Sequence, residues 1–118
     1  MNIESLREYC LSKPLATEDS AFGPELILFR VYGKIFACID LERPHLVVLK
    51  IAPDYASELR EQYEGITGAW HWNKRYWNEV RFDADVDDAL VRELVDHSLG
   101  EVLKKLPRKL QQAYAAQS

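Results

Sequence analysis

The sequence predicts an α+β domain, a two-layer sandwich in which an antiparallel sheet of about five strands is covered by helices in the order αβββαββα. Three observations carry this. Apolar residues recur at helical spacing near both ends and in the middle of the chain. β-rich apolar runs occur in a group of three and a group of two. Glycine, proline and polar turn residues separate these segments. The 118 residues include no Gly/Ser-rich linker, repeat or low-complexity tract, so a single domain is expected over 1–118, with a core to about residue 110 and a polar tail over 111–118.

Asn2 is the expected N-cap of a first helix, with Glu4 in its first turn and Ile3, Leu6, Tyr9 and Cys10 as the apolar stripe; Pro14 stops it. Ala16 to Pro24 is expected as a loop. Leu26–Val31, Ile35–Asp40 and Leu46–Ile51 form a meander, joined first by Tyr32-Gly33, where glycine tolerates positive φ, and then by Glu42-Arg43-Pro44. Pro53 suits a first helical turn, Tyr55, Leu59 and Tyr63 continue that helix, and Gly65 supplies its stop. Ile66–Trp72 and Tyr76–Phe82 predict a second hairpin with the basic tip Asn73-Lys74-Arg75. From Asp85 onward, Leu90, Val91, Leu94, Val95, Ser98, Val102, Leu103 and Leu106 mark a long amphipathic helix that Pro107 ends or bends.

A chain of this composition, 47% hydrophobic and without a run of about 18 apolar residues, is expected to be globular and to cross no membrane. The N-terminal segment lacks the charged and apolar regions of an export signal, which points to the cytoplasm. Cys10 and Cys38 lie in apolar contexts that suit buried, inert thiols. The net charge of −4 disfavours adventitious binding to polyanions, although the balance is uneven: residues 1–64 hold seven basic and eleven acidic groups, and residues 65–118 hold eight of each.

The densest chemical constellation is Trp70-His71-Trp72-Asn73-Lys74-Arg75-Tyr76-Trp77. Strand alternation would place Trp70 and Trp72 on one face and His71 on the other. Exposed aromatics beside cations suit phosphate tracking and base stacking. The alternative is structural: tryptophans packed on a helix, solvated cations, and Asn73 as a simple turn residue. Lys104, Lys105, Arg108 and Lys109 form a second basic patch, which could contact phosphate or simply complement the end of the last helix. No phosphate loop, nucleophile elbow or metal-ligating His pair is present, so no enzymatic activity, metal or cofactor is expected. Asp83, Asp85, Asp87 and Asp88 lack the spacing of a calcium loop, and Asp85 to Asp88 read as helix N-terminal charge.

Beyond composition and spacing, the chain resembles the MmcQ/YjbR family of small bacterial proteins. The resemblance is carried by Ala21-Phe22-Gly23-Pro24, Tyr32-Gly33-Lys34-Ile35-Phe36-Ala37, Leu49-Lys50, Leu59-Arg60, the string from Trp70 through Val80, and Ser98-Leu99-Gly100-Glu101-Val102-Leu103 ahead of Leu106-Pro107-Arg108-Lys109. It spans nearly the whole chain. Two departures are Tyr76, at a place often held by His, and Gly100, in place of a longer residue. The resemblance implies a frataxin-like (CyaY-like) fold and DNA binding through a double wing of β-hairpins. On that basis His71, Trp72, Asn73, Lys74, Arg75 and Tyr76 are the expected nucleic-acid-binding residues, with DNA as partner; separately, a monomer is expected. A protein- or small-ligand-binding module using the same aromatic surface is the alternative. Trp70, Trp77, Val80 and Phe82 are assigned to the core.

Overall fold

Asn2 does start the first helix. Its side chain accepts from Ser5 N at 2.8 Å, and Ser5 Oγ accepts from Asn2 N at 3.1 Å, so two of the helix's orphan donors are satisfied reciprocally. The computed structural model describes residues 1–117; Ser118, the end of the polar tail, lies outside the described residues. The elements are α1 (Ile3–Leu11), β1 (Thr17–Asp19), β2 (Leu26–Val31), β3 (Lys34–Asp40), β4 (Leu46–Lys50), α2 (Pro53–Gln62), β5 (Ile66–Gly68), β6 (Trp77–Arg81), α3 (Asp88–Leu103) and α4 (Arg108–Ala115). The strands form one antiparallel sheet in the order β1-β2-β3-β4-β6-β5.

The sixth strand is β1, inside the segment expected to be a loop. Thr17-Glu18-Asp19 has no apolar alternation to announce it; it pairs with Arg30-Phe29-Leu28 on β2. Its carboxylates are held from outside the strand, Glu18 by Arg7 of α1 and Asp19 by Arg30 Nε at 2.7 Å. The β2–β3 connection is a two-residue turn with positive φ at both Tyr32 (50°) and Gly33 (76°), the combination that matches the twist of a hairpin. A tyrosine in this region is strained, and its ring packs edge-on against Tyr114 of α4 with centroids 6.4 Å apart.

Phe29, Val31, Ala37, Ile39, Val47, Leu49, Ile66 and Val80 bury one sheet face against Leu6 and Cys10 of α1, Ala56 and Leu59 of α2, and Val91, Leu94 and Val95 of α3. A register shift in the β2–β3 pair leaves Phe36 as the extra residue, so Phe36 and Ala37 both join this core. Ser98, fully buried on α3, repairs the interruption: its hydroxyl donates to Phe36 O at 2.6 Å and accepts from Lys50 N at 2.8 Å. Cys10 belongs to this core and Cys38 to the opposite face; burial pushes both thiols up to about 12, as inert cysteines require. Among the described residues no helix is long and apolar enough to cross a membrane.

Several boundaries differ from expectation. α2 ends at Gln62 with Tyr63 extended beyond it, so Gly65 is not its cap; a Cβ on Gly65 would stand 3.0 Å from the Arg81 carbonyl, and that close approach is its role. α3, expected from Asp85, begins at Asp88 with Asp87 as N-cap, whose side chain accepts from Leu90 N at 2.8 Å. Asp85 instead accepts from Glu64 N and Gly65 N, and these backbone donors hold its carboxyl below the usual range. Within the polar tail, residues 111–115 are helical: α4 runs through them, and buried Tyr114 carries the core past residue 110.

Gly100 sits in α3 with no neighbour within 4 Å of the place a Cβ would occupy. Gly100→Ala is therefore expected to raise stability by about 1 kcal/mol, read as a higher urea midpoint with unchanged slope. A lower midpoint would mean that the position is constrained by something other than helix propensity.

His97 ties α3 to α2. Its Nε2 accepts from Ala52 N at 3.1 Å, which places the ring proton on Nδ1, and the ring meets Tyr55 edge-on at 5.0 Å. Burial lowers its pKa from the ordinary 6.5. The unfolded chain therefore binds this proton more readily than the folded one, and the stability contributed by neutral His97 is complete above about pH 6.5 and is lost as pH falls through the folded value. Wild type should lose more stability than His97→Gln between about pH 7 and pH 5 in urea titrations. Equal losses would remove His97 from the account.

Candidate nucleic-acid interface

β5 stops at Gly68 and β6 begins at Trp77, so the expected hairpin strands are shorter and the connecting loop is longer. Two successive turns build loop 69–76. Trp72 N donates to Ala69 O at 2.9 Å, and Asn73 O accepts from Tyr76 N and Trp77 N at 3.0 and 2.9 Å. Strand alternation therefore ends before the aromatic cluster. Trp70 and His71 do not take opposite faces; their rings stack with centroids 3.9 Å apart, and Trp70, expected in the core, is 70% exposed. Trp77 is half-buried, while Val80 and Phe82 do reach the helix-side core.

The loop folds back over the sheet's second face. Leu28, Cys38, Leu46, Val48 and Ala69 are buried there, with Trp72 and Trp77 packed against them. The two indoles meet at 4.8 Å, and Phe22 approaches Trp72 at 6.2 Å. Trp72 is thus largely committed to packing, and the exposed rings are Trp70, His71 and Tyr76. Asn73 is a turn residue, its Oδ1 accepting from Arg75 N at 3.1 Å. Lys74 and Arg75 are exposed, and the Arg75 guanidinium lies 5.7 Å from the Tyr76 ring centroid.

What holds the loop is Arg60 of α2. Its Nε and Nη2 donate to Asn78 Oδ1 at 2.9 and 2.6 Å, and Nη2 also donates to the Lys74 carbonyl at 2.7 Å. Asn78 is fully buried and donates in turn to Tyr76 O at 3.3 Å. The loop crosses Gly68 so closely that a Cβ there would meet Lys74 Cβ at 3.1 Å. On the other face, buried Glu79 takes Arg43 Nη2 at 2.6 Å, so the expected turn residue Arg43 also clamps β6. Arg60, Asn78 and Arg43 carry no separate site signal in the sequence. Only their place within the quoted motif strings or turns marks them.

The second basic patch is divided by Pro107. Lys104 is the C-cap of α3 and pairs with Glu101 at 2.7 Å, whereas Arg108 and Lys109 occupy the first turn of α4 rather than the last turn of the preceding helix. There they oppose the helix dipole instead of complementing it. Lys105 lies between the helices and turns toward Lys34 and Lys50 in a shared groove.

The cations sort by location. Arg7, Lys13, Arg30, Arg43, Arg81 and Lys104 have carboxylate partners. Among the described residues no carboxylate pairs with Lys34, Lys50, Lys74, Arg75, Lys105, Arg108 or Lys109, nor with Arg60, whose guanidinium serves Asn78 and the Lys74 carbonyl, nor with Arg92 on α3. Lys50 faces Trp77 across the β4–β6 ladder, directly beside the loop that carries Lys74 and Arg75. A separate cleft of about 190 Å³ on the second sheet face has His71 and Trp72 as wall and Glu25, Asp40 and Glu42 at its rim.

An antiparallel sheet layered with helices, carrying an arginine-pinned aromatic loop at one edge, defines an α+β class of protein. The chain belongs to the YjbR family, whose model matches residues 11–99. It is 30% identical over 110 residues to the uncharacterized protein YjbR of Escherichia coli K12, covering 92% of this chain and 93% of that one. To the uncharacterized protein YbdF of Escherichia coli O157:H7 it is 28% identical over 107 residues, covering 90% and 88%. The crystal structure of Deinococcus radiodurans DR2400, a DUF419 domain, matches with a TM-score of 0.88 and 28% identity over 96% of this chain and 87% of that one. A Pseudomonas syringae protein shares the fold at a TM-score of 0.74 and 22% identity, with 86% and 99% covered.

Proposed function

We propose that this protein is a non-enzymatic DNA-binding module of the bacterial cytoplasm, with a CyaY-like fold, that presents loop 69–76 as a wing. The observation that carries the reading is the segregation of unpaired cations. In a chain of net charge −4, those of the loop, of the adjoining groove and of the start of α4 are left without carboxylate partners while six of the remaining basic side chains are paired; Arg60, bonded to Asn78 and the Lys74 carbonyl beside the loop, and Arg92 on α3 are the exceptions. Lys74 and Arg75 contact phosphates, and the exposed Trp70–His71 stack with Tyr76 offers flat surfaces to sugar and base. Trp72 and Asn73 shape the loop rather than touch DNA. With few cations at the tip, binding is weak, sequence-tolerant and salt-sensitive.

Fluorescence anisotropy of labelled duplex and single-stranded oligonucleotides, at about 50 and 200 mM salt, tests this reading. Micromolar binding that weakens steeply with salt is the expected result; no binding at the lower salt overturns it. The acid-rimmed cleft with exposed Phe22 beside Trp72 favours a second reading, docking of a protein partner with a basic, apolar segment on the other sheet face. That docking would survive charge reversal at Lys74 and Arg75.

A further inference from the structure

Lys34 at the start of β3, Lys50 at the end of β4 and Lys105 beyond α3 come from distant parts of the chain and line one groove of about 250 Å³. Ile35, Trp77 and Val102 supply its apolar part. Among the described residues none of the three ammonium groups has a carboxylate partner. The Glu101 carboxyl, held below its usual range chiefly by the Lys104 hydrogen bond and also by His97 and Lys50, is bonded to Lys104 rather than to the groove lysines. Like charges gathered around a concave, partly apolar surface repel one another and focus a positive field, and a bound anion relieves that cost.

The groove's size and charge define the anion. Its volume equals roughly eight waters at about 30 Å³ each, enough for a phosphate and part of an attached ring but not for a duplex. A phosphomonoester carries about −1.5 to −2 charges at neutral pH, whereas a backbone diester carries one, so three lysines match the monoester better. Trp77 packs against Trp72 and adds an aromatic wall to the groove. We infer that this groove binds the terminal phosphate of a nucleoside monophosphate, either free or at the 5′ end of a nucleic-acid strand. No residue of 71–76 lines it, so the groove is tested separately from the loop, although its unpaired lysines belong to the same charge segregation on which the wing reading rests.

Adenosine 5′-monophosphate, adenosine and inorganic phosphate, each titrated into the ¹⁵N-labelled full chain, test the inference. The monophosphate is expected to shift the Trp77 indole N–H and the amides around Lys34, Lys50 and Lys105, and to bind at least tenfold more tightly than either fragment. Lys34→Ala with Lys105→Ala should weaken it at least tenfold while the rest of the spectrum stays folded. Absence of groove shifts, or a monophosphate no tighter than inorganic phosphate, overturns the inference. The source is read from oligonucleotides of one sequence with 5′-phosphate or 5′-hydroxyl ends. Preference for the phosphorylated end, lost in the Lys34/Lys105 variant, identifies a strand terminus; monophosphate binding without that preference identifies a free nucleotide. Oligonucleotide binding abolished by Lys74→Glu with Arg75→Glu, alongside no monophosphate binding, would leave the wing standing and the groove assignment overturned.

Discussion

Lys74→Glu combined with Arg75→Glu should reduce DNA affinity by roughly 100-fold or more at about 50 mM salt and lower the salt slope by about two. Each phosphate contact released from a cation is worth roughly tenfold at that ionic strength, and the introduced carboxylates add repulsion. The fold should not change. Among the described residues neither side chain donates a hydrogen bond or pairs with a carboxylate; Arg75 lies over the Tyr76 ring, and what holds the loop at Lys74 is its backbone carbonyl, which the substitution keeps. Anisotropy titrations beside thermal melts check both halves. A folded double variant that binds as the wild type would take the interface away from the loop.

The second large effect concerns Arg60, which supports the loop from behind. Arg60→Ala removes both donors from buried Asn78 Oδ1 and the donor to Lys74 O. A charge-assisted bond lost at a buried acceptor costs about 2 kcal/mol. Urea denaturation should show that loss, and amide exchange should accelerate over residues 69–76. On the proposed wing reading DNA affinity should fall as well, because the loop is no longer held in one shape. Arg60→Ala with Asn78→Leu should recover part of the stability, since the buried Asn78 amide is then no longer stranded, but not the affinity. Unchanged exchange in Arg60→Ala would show that the turns at 69–76 hold themselves.

These effects mark how far the residues could be read in advance. The apolar runs Leu26–Val31, Ile35–Asp40 and Leu46–Ile51 give the meander directly, and their continuity carries a further message. β4 reads Leu46-Val47-Val48-Leu49, buried at each of these positions, so the strand is covered on both faces. The runs do not say by what. Helices cover one face, and the Trp72–Trp77 pair covers the middle of the other. Likewise the aromatic string was conspicuous, but alternation assigned its members to the wrong places, because two turns replace the strand after Gly68. β1 escaped because a short edge strand held by backbone pairing and ion pairs needs no apolar pattern.

The sequence by itself determined the α+β class, the family, the helix starts at Asn2 and Pro53, the buried thiols and the region in which aromatics and cations concentrate. These are local quantities: periodicity, capping chemistry, turn residues and composition within a few positions. Only the tertiary structure decided that Trp72 is packing and Trp70 surface, that Arg60 pins the loop through Asn78, and that Lys34, Lys50 and Lys105 line one groove. Those relations join residues far apart in the chain, and their energies depend on distance, burial and the pairing of charges in space, which a linear pattern does not encode.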